Sequence, residues 1–270
     1  MAPHPFRFKI GFVGAGNMAE AICQNLYSFR STQWTICDPS EERTKFFDGK
    51  FGMYVYQDNL SLAENSENIV LAVKPQQIPQ VLDQIKPALG QDQLIISIAA
   101  GISTRFIETS IGKSIPVIRV MPNTPLMIGA GTTALCRGKF ATEQHLEFAK
   151  SLFASSGVTL TEEEEFMDPV TALSGSGPAY FFYLIEAMVE AGVTLGLSRN
   201  DALKLSANTA LGAAKMVLEN QAEPQELRRK VTSPGGTTEA AINVLESHKV
   251  KQAFIEAITA AADRSRQLGK

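Results

Sequence analysis

The stretch GFVGAGNMA at residues 11–19 decides the fold of the first half of this chain. Gly14, Gly16 and Ala19 fit the pattern G-x-G-x-x-G/A, in which the first glycine permits a tight turn. The second glycine lets a pyrophosphate approach the backbone, and the small third residue lets the following helix pack closely on the preceding strand. Because an apolar run precedes the pattern and a helical run follows it, we interpret it as a dinucleotide-binding turn rather than an ordinary glycine turn.

Short apolar runs alternate with helical patterns as far as residue 165. Such repeated units predict a mainly parallel, doubly wound Rossmann sheet with helices on both faces. Buried strands are predicted at residues 8–13, 34–37, 53–56, 69–73, 94–98 and 117–120, and edge strands at 133–135 and 158–160. Helices are predicted at residues 17–29, 41–51, 59–65, 76–89, 104–111 and 142–155.

The pattern changes at residue 166, after the acidic run Glu162–Glu165. Apolar residues then recur at helical spacing, which predicts an all-helical domain at 166–270 after a Rossmann domain at 1–165. The predicted helices span residues 167–173, 178–195, 199–220, 224–231, 237–245 and 249–267, with Ser198 capping the third. The helix at 178–195 is apolar on nearly every side, so we expect it to form a subunit interface in a homodimer.

Composition excludes several classes of protein. The chain has 270 residues, with 25 lysines and arginines against 28 aspartates and glutamates, and so lacks the charge expected for nucleic acid or an anionic membrane. Its three cysteines and three histidines are scattered, which predicts neither a disulfide framework nor a metal site. Glu186 and Glu190 interrupt the most apolar helix, so we expect no membrane span and, by elimination, a cytoplasmic location.

Polar residues follow several of the predicted strands, at the sheet edge where parallel sheets bind ligands. Asp38 ends the second strand, where an acid hydrogen-bonds the 2′-hydroxyl of NAD; Arg43 lies close enough to accept the 2′-phosphate of NADP instead. Lys74 follows the fourth strand and Asn123 the sixth. The simpler alternatives are a turn at Asp38, a solvated lysine, and a stiff proline turn around Asn123.

Two glycine- and serine-rich motifs precede helices in the second half. They are SGSGP at residues 174–178 and SPGGTT at 233–238. A loop of this kind presents free backbone N–H groups at a helix N-terminus, which suits a carboxylate, although Ser and Gly serve equally well as plain helix caps.

These motifs resemble those of the pyrroline-5-carboxylate reductases. The matching stretches are GAGNMA at residues 14–19, LAVKP at 71–75, RVMPNTP at 119–125, LSGSGPAY at 173–180 and VTSPGGTT at 231–238. The resemblance implies an N-terminal Rossmann domain, a helical dimerisation domain, and interlocked dimers often assembled into larger rings such as decamers. It also implies reduction of the C=N bond of Δ1-pyrroline-5-carboxylate to L-proline by NADH or NADPH.

The resemblance also assigns roles to individual residues. Thr238 is the expected catalytic residue, its hydroxyl bonded to the ring nitrogen, while the amides of Gly236 and Thr237 hold the carboxylate. The expected substrate contacts are Glu164, Ser233, Gly236, Thr237 and Thr238. The expected cofactor contacts, together with Asn123, are Val13, Gly14, Ala15, Gly16, Asn17, Met18, Asp38, Asn59, Ala72, Val73, Lys74, Pro75, Ile98, Ala99 and Ala100.

Two other functions fit parts of the sequence. Lys204 and Asn208 have the spacing of a β-hydroxyacid dehydrogenase, although the glycine-rich run expected before such a lysine is absent. A Rossmann protein that only senses a nucleotide is the second alternative, since fold alone does not establish catalysis. Asp38 favours NADH as the cofactor, and Arg43 is the residue that would offset this preference.

Overall fold

An eight-stranded sheet organises the first half of the chain. The computed structural model describes residues 9–26, 33–220 and 222–269. The strands are β1 (Lys9–Val13), β2 (Gln33–Cys37), β3 (Tyr54–Val55), β4 (Asn68–Leu71), β5 (Leu94–Ser97), β6 (Val117–Met121), β7 (Gly131–Arg137) and β8 (Gly157–Thr161). Their spatial order is β3-β2-β1-β4-β5-β6-β7-β8, and every neighbouring pair is parallel except β6 with β7.

Helices cover both faces of this sheet. They are α1 (Asn17–Leu26), α2 (Glu41–Phe51), α3 (Asn59–Glu64), α4 (Ile78–Ile85), α5 (Thr104–Ile111) and α6 (Glu143–Phe153). Successive side chains of a strand point to opposite faces, so Ile96 joins one buried cluster with α1, α2 and α6, and Ile95 joins another with α3, α4 and α5. The doubly wound arrangement predicted from the sequence is therefore present.

Most predicted elements are found within one or two residues of their expected bounds. The prediction that residues 133–135 form an edge strand is wrong, because β7 lies between β6 and β8. The helix predicted at 76–89 is shorter, since a 3₁₀ turn at Pro75–Gln77 precedes α4 and Pro87, after the C-cap Lys86, has no N–H to continue the helical hydrogen bonds. Residue 8 of the first predicted strand and residues 27–29 of the first predicted helix lie outside the described residues.

Two compact units divide the chain differently from the predicted boundary. One comprises residues 1–176 and 261–270, and the other comprises residues 177–260. The first unit continues past residue 165 because the short helix α7 (Met167–Val170) packs beside β7. The last ten residues also belong to the first unit, where the Ser265 hydroxyl donates a hydrogen bond to Asp168 Oδ1 at 2.7 Å.

The second unit is helical and exposes many large apolar side chains. Its helices are α8 (Gly177–Thr194), α9 (Arg199–Asn220), α10 (Pro224–Lys230), α11 (Thr237–Ser247) and the first part of α12 (Val250–Leu268). The exposed side chains include Phe181, Phe182, Tyr183, Leu195, Leu203, Leu205, Leu211, Leu218 and Ile255. Leu195 is 85% exposed and Leu218 is 78% exposed. An apolar surface of this extent marks an interaction site.

Two glycines allow a test of the sheet packing. A Cβ on Gly11 of β1 would overlap the Ser66 hydroxyl and lie 2.6 Å from Leu62 Cδ2, whereas a Cβ on Gly49 of α2 would meet nothing within 4 Å. Gly11→Ala should therefore lower the free energy of unfolding by about 1–3 kcal/mol. Gly49→Ala should raise it by about 0.5–1 kcal/mol, because alanine favours helix. Urea unfolding at one protein concentration measures both changes in the free energy of unfolding. Equal unfolding midpoints for the Gly11→Ala and Gly49→Ala variants would contradict the described packing around Gly11.

Candidate active site

The turn after β1 requires glycine at position 14. Gly14 has φ of 102°, and its N–H donates to the Cys37 carbonyl at 2.9 Å. A Cβ at this position would lie 2.7 Å from the Ala72 carbonyl oxygen. Gly16 then leads into α1, where the first backbone N–H groups of the helix lie. The turn has the conformation that binding of a pyrophosphate requires.

A cavity of about 520 Å³ opens beside this turn, where β1, β2 and β4 end. Five of the residues expected to contact the cofactor line it: Val13, Gly14, Asp38, Asn59 and Val73. Cys37, which the sequence analysis did not expect, lines it as well. Gln57 and Asp58 also line the cavity, as do three glutamines at the start of and along α4, Gln77, Gln80 and Gln84. Sequence reasoning missed these glutamines, although their spacing of three and four residues places them on one side of a helix.

Asp38 both faces the cavity and fixes the turn. Its Oδ2 accepts the N–H of Ala15 at 2.7 Å, and its Oδ1 accepts the N–H of Ser40 at 2.8 Å. Each carboxylate oxygen can accept a further hydrogen bond, so these contacts leave room for a ribose hydroxyl. The two interpretations of Asp38, as a turn residue and as a cofactor contact, are therefore compatible.

Arg43 contacts the same residue, Ala15, through its carbonyl and does not line the cavity. Its Nε donates to the Ala15 carbonyl at 2.8 Å, and its Nη2 donates to Glu20 Oε2 at 3.0 Å. Lys50 Nζ donates to the second oxygen of Glu20 at 3.0 Å. Burial acts to raise the pKa of Glu20, but the hydrogen bonds from Arg43 and Lys50 outweigh it and hold that pKa below its usual value.

Cys37 is a lining residue without nucleophilic character. Burial first, and then the nearby carboxylates of Asp58 and Asp38, raise the pKa of its thiol to about 11. The thiol is therefore neutral at physiological pH and presents only a small apolar wall to a ligand.

The other expected cofactor contacts lie along the same edge of the sheet. Ala72–Pro75 follows β4 with Lys74 exposed, and Ile98–Ala100 follows β5 ahead of α5. Asn123 is buried, and both polar atoms of its side chain have protein partners: Nδ2 donates to the Ser174 carbonyl at 3.1 Å and Oδ1 accepts the N–H of Thr132 at 2.9 Å. Asn123 thus joins the end of β6 to the segment that precedes α8.

That segment is not the open loop expected from its glycines and serines. Residues Thr171–Gly175 form a π-helical turn that continues from α7. The Ser176 N–H donates to the Thr171 carbonyl at 2.8 Å, and the Ser174 hydroxyl donates to the Val170 carbonyl at 3.0 Å. A single π-helical turn of this kind is common at functional sites, but it offers fewer free N–H groups than a loop.

Glu164 is engaged in a buried ionic network. Its Oε1 accepts from Arg119 Nη1 at 2.7 Å, and its Oε2 accepts from the N–H of Thr104 at 3.0 Å. The Arg119 side chain is only 3% exposed and also pairs with Asp168 at 3.3 Å. The Glu164 carboxylate therefore neutralises a buried cation and accepts the first N–H of α5, and both of its oxygens have protein donors.

The glycine-rich motif of the second unit leads into the first turn of α11. Gly235 has φ of 72°, and its N–H donates to Glu239 Oε2 in that turn at 2.8 Å. The helix begins at Thr237, and its N-cap is Gly236. The Gly236 N–H donates to the Ser233 carbonyl at 3.0 Å within the turn. The amides that remain for an anion are those of the first turn of α11, beginning at Thr237. The half-buried Thr238 is in the same turn.

Among the described residues, no group of three or more His, Cys, Asp or Glu side chains is arranged to hold a metal ion. In the same part of the chain, no helix has the length and apolar character needed to cross a membrane.

Known proteins share both halves of this arrangement. The chain matches the family described as pyrroline-5-carboxylate reductase dimerisation over residues 164–268, and that described as NADP oxidoreductase, coenzyme F420-dependent, over residues 9–101. It is 42% identical over 265 residues to a pyrroline-5-carboxylate reductase of Pseudomonas aeruginosa, with 97% of each chain covered. The chain belongs to the pyrroline-5-carboxylate reductase family. The sequence prediction of this family and of its reductase activity is thereby confirmed.

Solved structures agree with this assignment. A pyrroline-5-carboxylate reductase from Coxiella burnetii has a TM-score of 0.87 and 40% identity, covering 98% of this chain and 100% of its own. A Plasmodium falciparum pyrroline carboxylate reductase with NADP bound has a TM-score of 0.89 and 32% identity, covering 97% and 98%. The fold class is confirmed. The family match leaves the dehydrogenase alternative without support. Asn208 donates to the Lys204 carbonyl at 2.8 Å within α9.

The network around Arg119 predicts a structural effect of Glu164. Glu164→Gln leaves the buried guanidinium with one carboxylate partner and should lower the free energy of unfolding by about 1–3 kcal/mol, since Glu164 itself is 33% exposed. Glu165→Gln, at an exposed neighbour, should change it by less than about 0.5 kcal/mol. Thermal unfolding measures both. Unchanged stability of Glu164→Gln with a raised KM would instead identify Glu164 as a substrate contact.

Proposed function

We propose that this chain reduces the C=N bond of Δ1-pyrroline-5-carboxylate to L-proline with NADH or NADPH, the last step of proline biosynthesis. The observation that carries the proposal is the set of backbone N–H groups in the first turn of α11, which begins in the family motif VTSPGGTT and contains Thr238. Backbone N–H groups at a helix N-terminus suit a carboxylate, and the substrate has one carboxylate and one imine.

The chemistry requires positioning more than acid–base groups. The reduced nicotinamide would supply a hydride for the imine carbon, and the nitrogen, which keeps the electron pair of the C=N bond, would take up one proton. The Thr238 hydroxyl hydrogen-bonds this nitrogen, and the amides at the start of α11 hold the carboxylate. Ser233 and Gly236 shape the turn that presents those amides, since the Gly236 N–H is used within it.

Glu164 acts in this proposal by positioning. Its contact with the Thr104 N–H fixes the start of α5, directly after the expected cofactor loop at Ile98–Ala100. Asn123 acts in a similar way on the segment that precedes α8. Both residues support the site through the backbone that they hold in place.

The decisive assay mixes the purified protein with Δ1-pyrroline-5-carboxylate and NADH or NADPH and follows the absorbance of the reduced cofactor. Consumption that depends on the imine, with proline as the product, is the expected result. Cofactor binding without turnover would favour the nucleotide-sensing alternative and contradict the proposed reaction.

Removal of the Thr238 hydroxyl should affect turnover and leave the fold unchanged. Thr238→Ala loses the hydrogen bond to the ring nitrogen, and we expect kcat to fall by about 10²–10⁴-fold, or less if a water replaces the hydroxyl. Thr238→Ser retains the hydroxyl and should keep most of the activity. Equal rates for Thr238→Ala and the wild type, at equal thermal stability, would remove Thr238 from the mechanism.

The cofactor cavity supports a preference for NADH. Asp38 and Asp58 line it, and no lysine or arginine of the described residues is among its lining residues. The 2′-phosphate of NADPH would meet these carboxylates without a cation beside them, which costs affinity. We expect kcat/KM to be higher with NADH by about tenfold or more. Equal or greater efficiency with NADPH, measured in the same assay, would contradict this.

Assembly into homodimers, and of dimers into a decamer or a similar ring, is part of the proposal. The match to a dimerisation family supports an oligomer, and the exposed apolar side chains of α8 and α9 supply a surface for it. Sedimentation at low micromolar concentration should show no monomer, because obligate dimers lack a stable folded monomer. A stable, active monomer would contradict the proposed assembly.

We also propose a cytoplasmic location. All three cysteines are free and buried, which supports a reducing environment such as that of the cytoplasm.

A further inference from the structure

A cluster of charged side chains outside the cavity contacts the backbone of the glycine turn at Ala15. Glu20 of α1 accepts hydrogen bonds from Arg43 and Lys50 of α2, each at 3.0 Å. The Arg43 guanidinium also lies 5.0 Å from the ring centroid of Phe46 and 5.4 Å from that of Phe47. Arg43 is therefore held by a carboxylate, by aromatic rings and, through Nε, by the Ala15 carbonyl.

The contacts of Arg43 determine whether a positively charged side chain is available beside the adenosine ribose of a bound dinucleotide. Arg43 lies in the first turn of α2, a few residues after Asp38, and it is the basic residue that the sequence offers to a 2′-phosphate. The side chain is directed to Glu20 and to Ala15 instead, and it is absent from the residues that line the cavity. To bind a phosphate on the ribose, the guanidinium would have to exchange a charged hydrogen bond for another, which removes most of the gain.

We propose that Glu20 is a specificity-determining residue for the dinucleotide, because it retains Arg43 on the α1 side of the glycine turn and so denies a cation to the 2′-phosphate of NADPH. The inference rests on the proposed binding of NADH or NADPH at this turn. Lys50 supports the role, because its hydrogen bond helps keep the Glu20 carboxylate ionised and fixed.

Arg43 has a separate positioning role in this proposal. Asp38 accepts the N–H of Ala15 and Arg43 donates to its carbonyl, so the two side chains hold the two peptide groups on either side of one residue of the phosphate-binding turn. Loss of Arg43 should therefore weaken NADH and NADPH by a similar factor, whereas loss of Glu20 should change their ratio.

The test measures the affinities of NADH and NADPH by the fluorescence of the bound cofactor, and kcat/KM with each cofactor in parallel. Glu20→Gln should raise the NADPH-to-NADH ratio of both quantities by about threefold to thirtyfold, because Arg43 becomes free to turn to the phosphate. Glu20→Ala, which also removes the acceptor, should raise it at least as far. In the double variant Glu20→Gln with Arg43→Ala the gain should disappear.

The matched control is Glu42→Gln, which removes an equal charge from an exposed residue adjacent to Arg43. It should change the ratio by less than about twofold, since an exposed charge is largely screened. An unchanged ratio in Glu20→Gln, an equal rise in Glu42→Gln, or a gain that survives in the double variant would each overturn the proposal. Because the affinities need no imine, a wild type that binds both cofactors but never reduces Δ1-pyrroline-5-carboxylate would overturn the function alone.

Discussion

The close approach of Gly14 to the Ala72 carbonyl is the constraint on which the first unit depends. The strands β1 and β4 are neighbours, and the chain must leave β1 beside the end of β4 without a side chain between them. Gly14 meets this need with a positive φ and donates its N–H to Cys37 at the end of β2. The ends of three strands are thereby held around one turn, and the cavity opens where they diverge.

The charges around this turn serve structure and binding together. Asp38 and Arg43 belong to the segment after β2, yet both are joined to the backbone of Ala15, in the turn after β1. The Asp38 carboxylate accepts two backbone N–H groups, so the acidic side chain that faces the cavity is also one that holds the turn. The cation that could balance it is drawn away by Glu20, and the electrostatics of the site thus depend on a residue of α1 that does not line it.

Local patterns allowed most of the fold to be predicted, and the failures are contacts between distant residues. The helix at Arg199–Asn220 is found at its predicted bounds, and Ser198 accepts the Asp201 N–H at its start, because spacing and capping are local properties. The interior position of β7 depends on the parallel pairing of β8, which no local pattern contains. The motif residues of the cofactor edge could likewise be predicted, whereas the commitment of Asn123 and Arg43 to protein partners could not, since those partners lie far along the chain.

Glu164 is another residue whose role depends on contacts with residues distant in sequence, and the free energies involved explain why. In sequence it is one of four successive glutamates, and a run of charges is usually a solvated surface. Its distinction comes from Arg119, whose position on a strand buried within the sheet would leave an unpaired cation at a cost of several kcal/mol. The carboxylates of Glu164 and Asp168 offset that cost. The Asp168 carboxylate also accepts a hydrogen bond from the Ser265 hydroxyl near the end of the chain. The need to neutralise one buried guanidinium therefore explains both why the first unit extends beyond the acidic run and why it includes the last turns of α12.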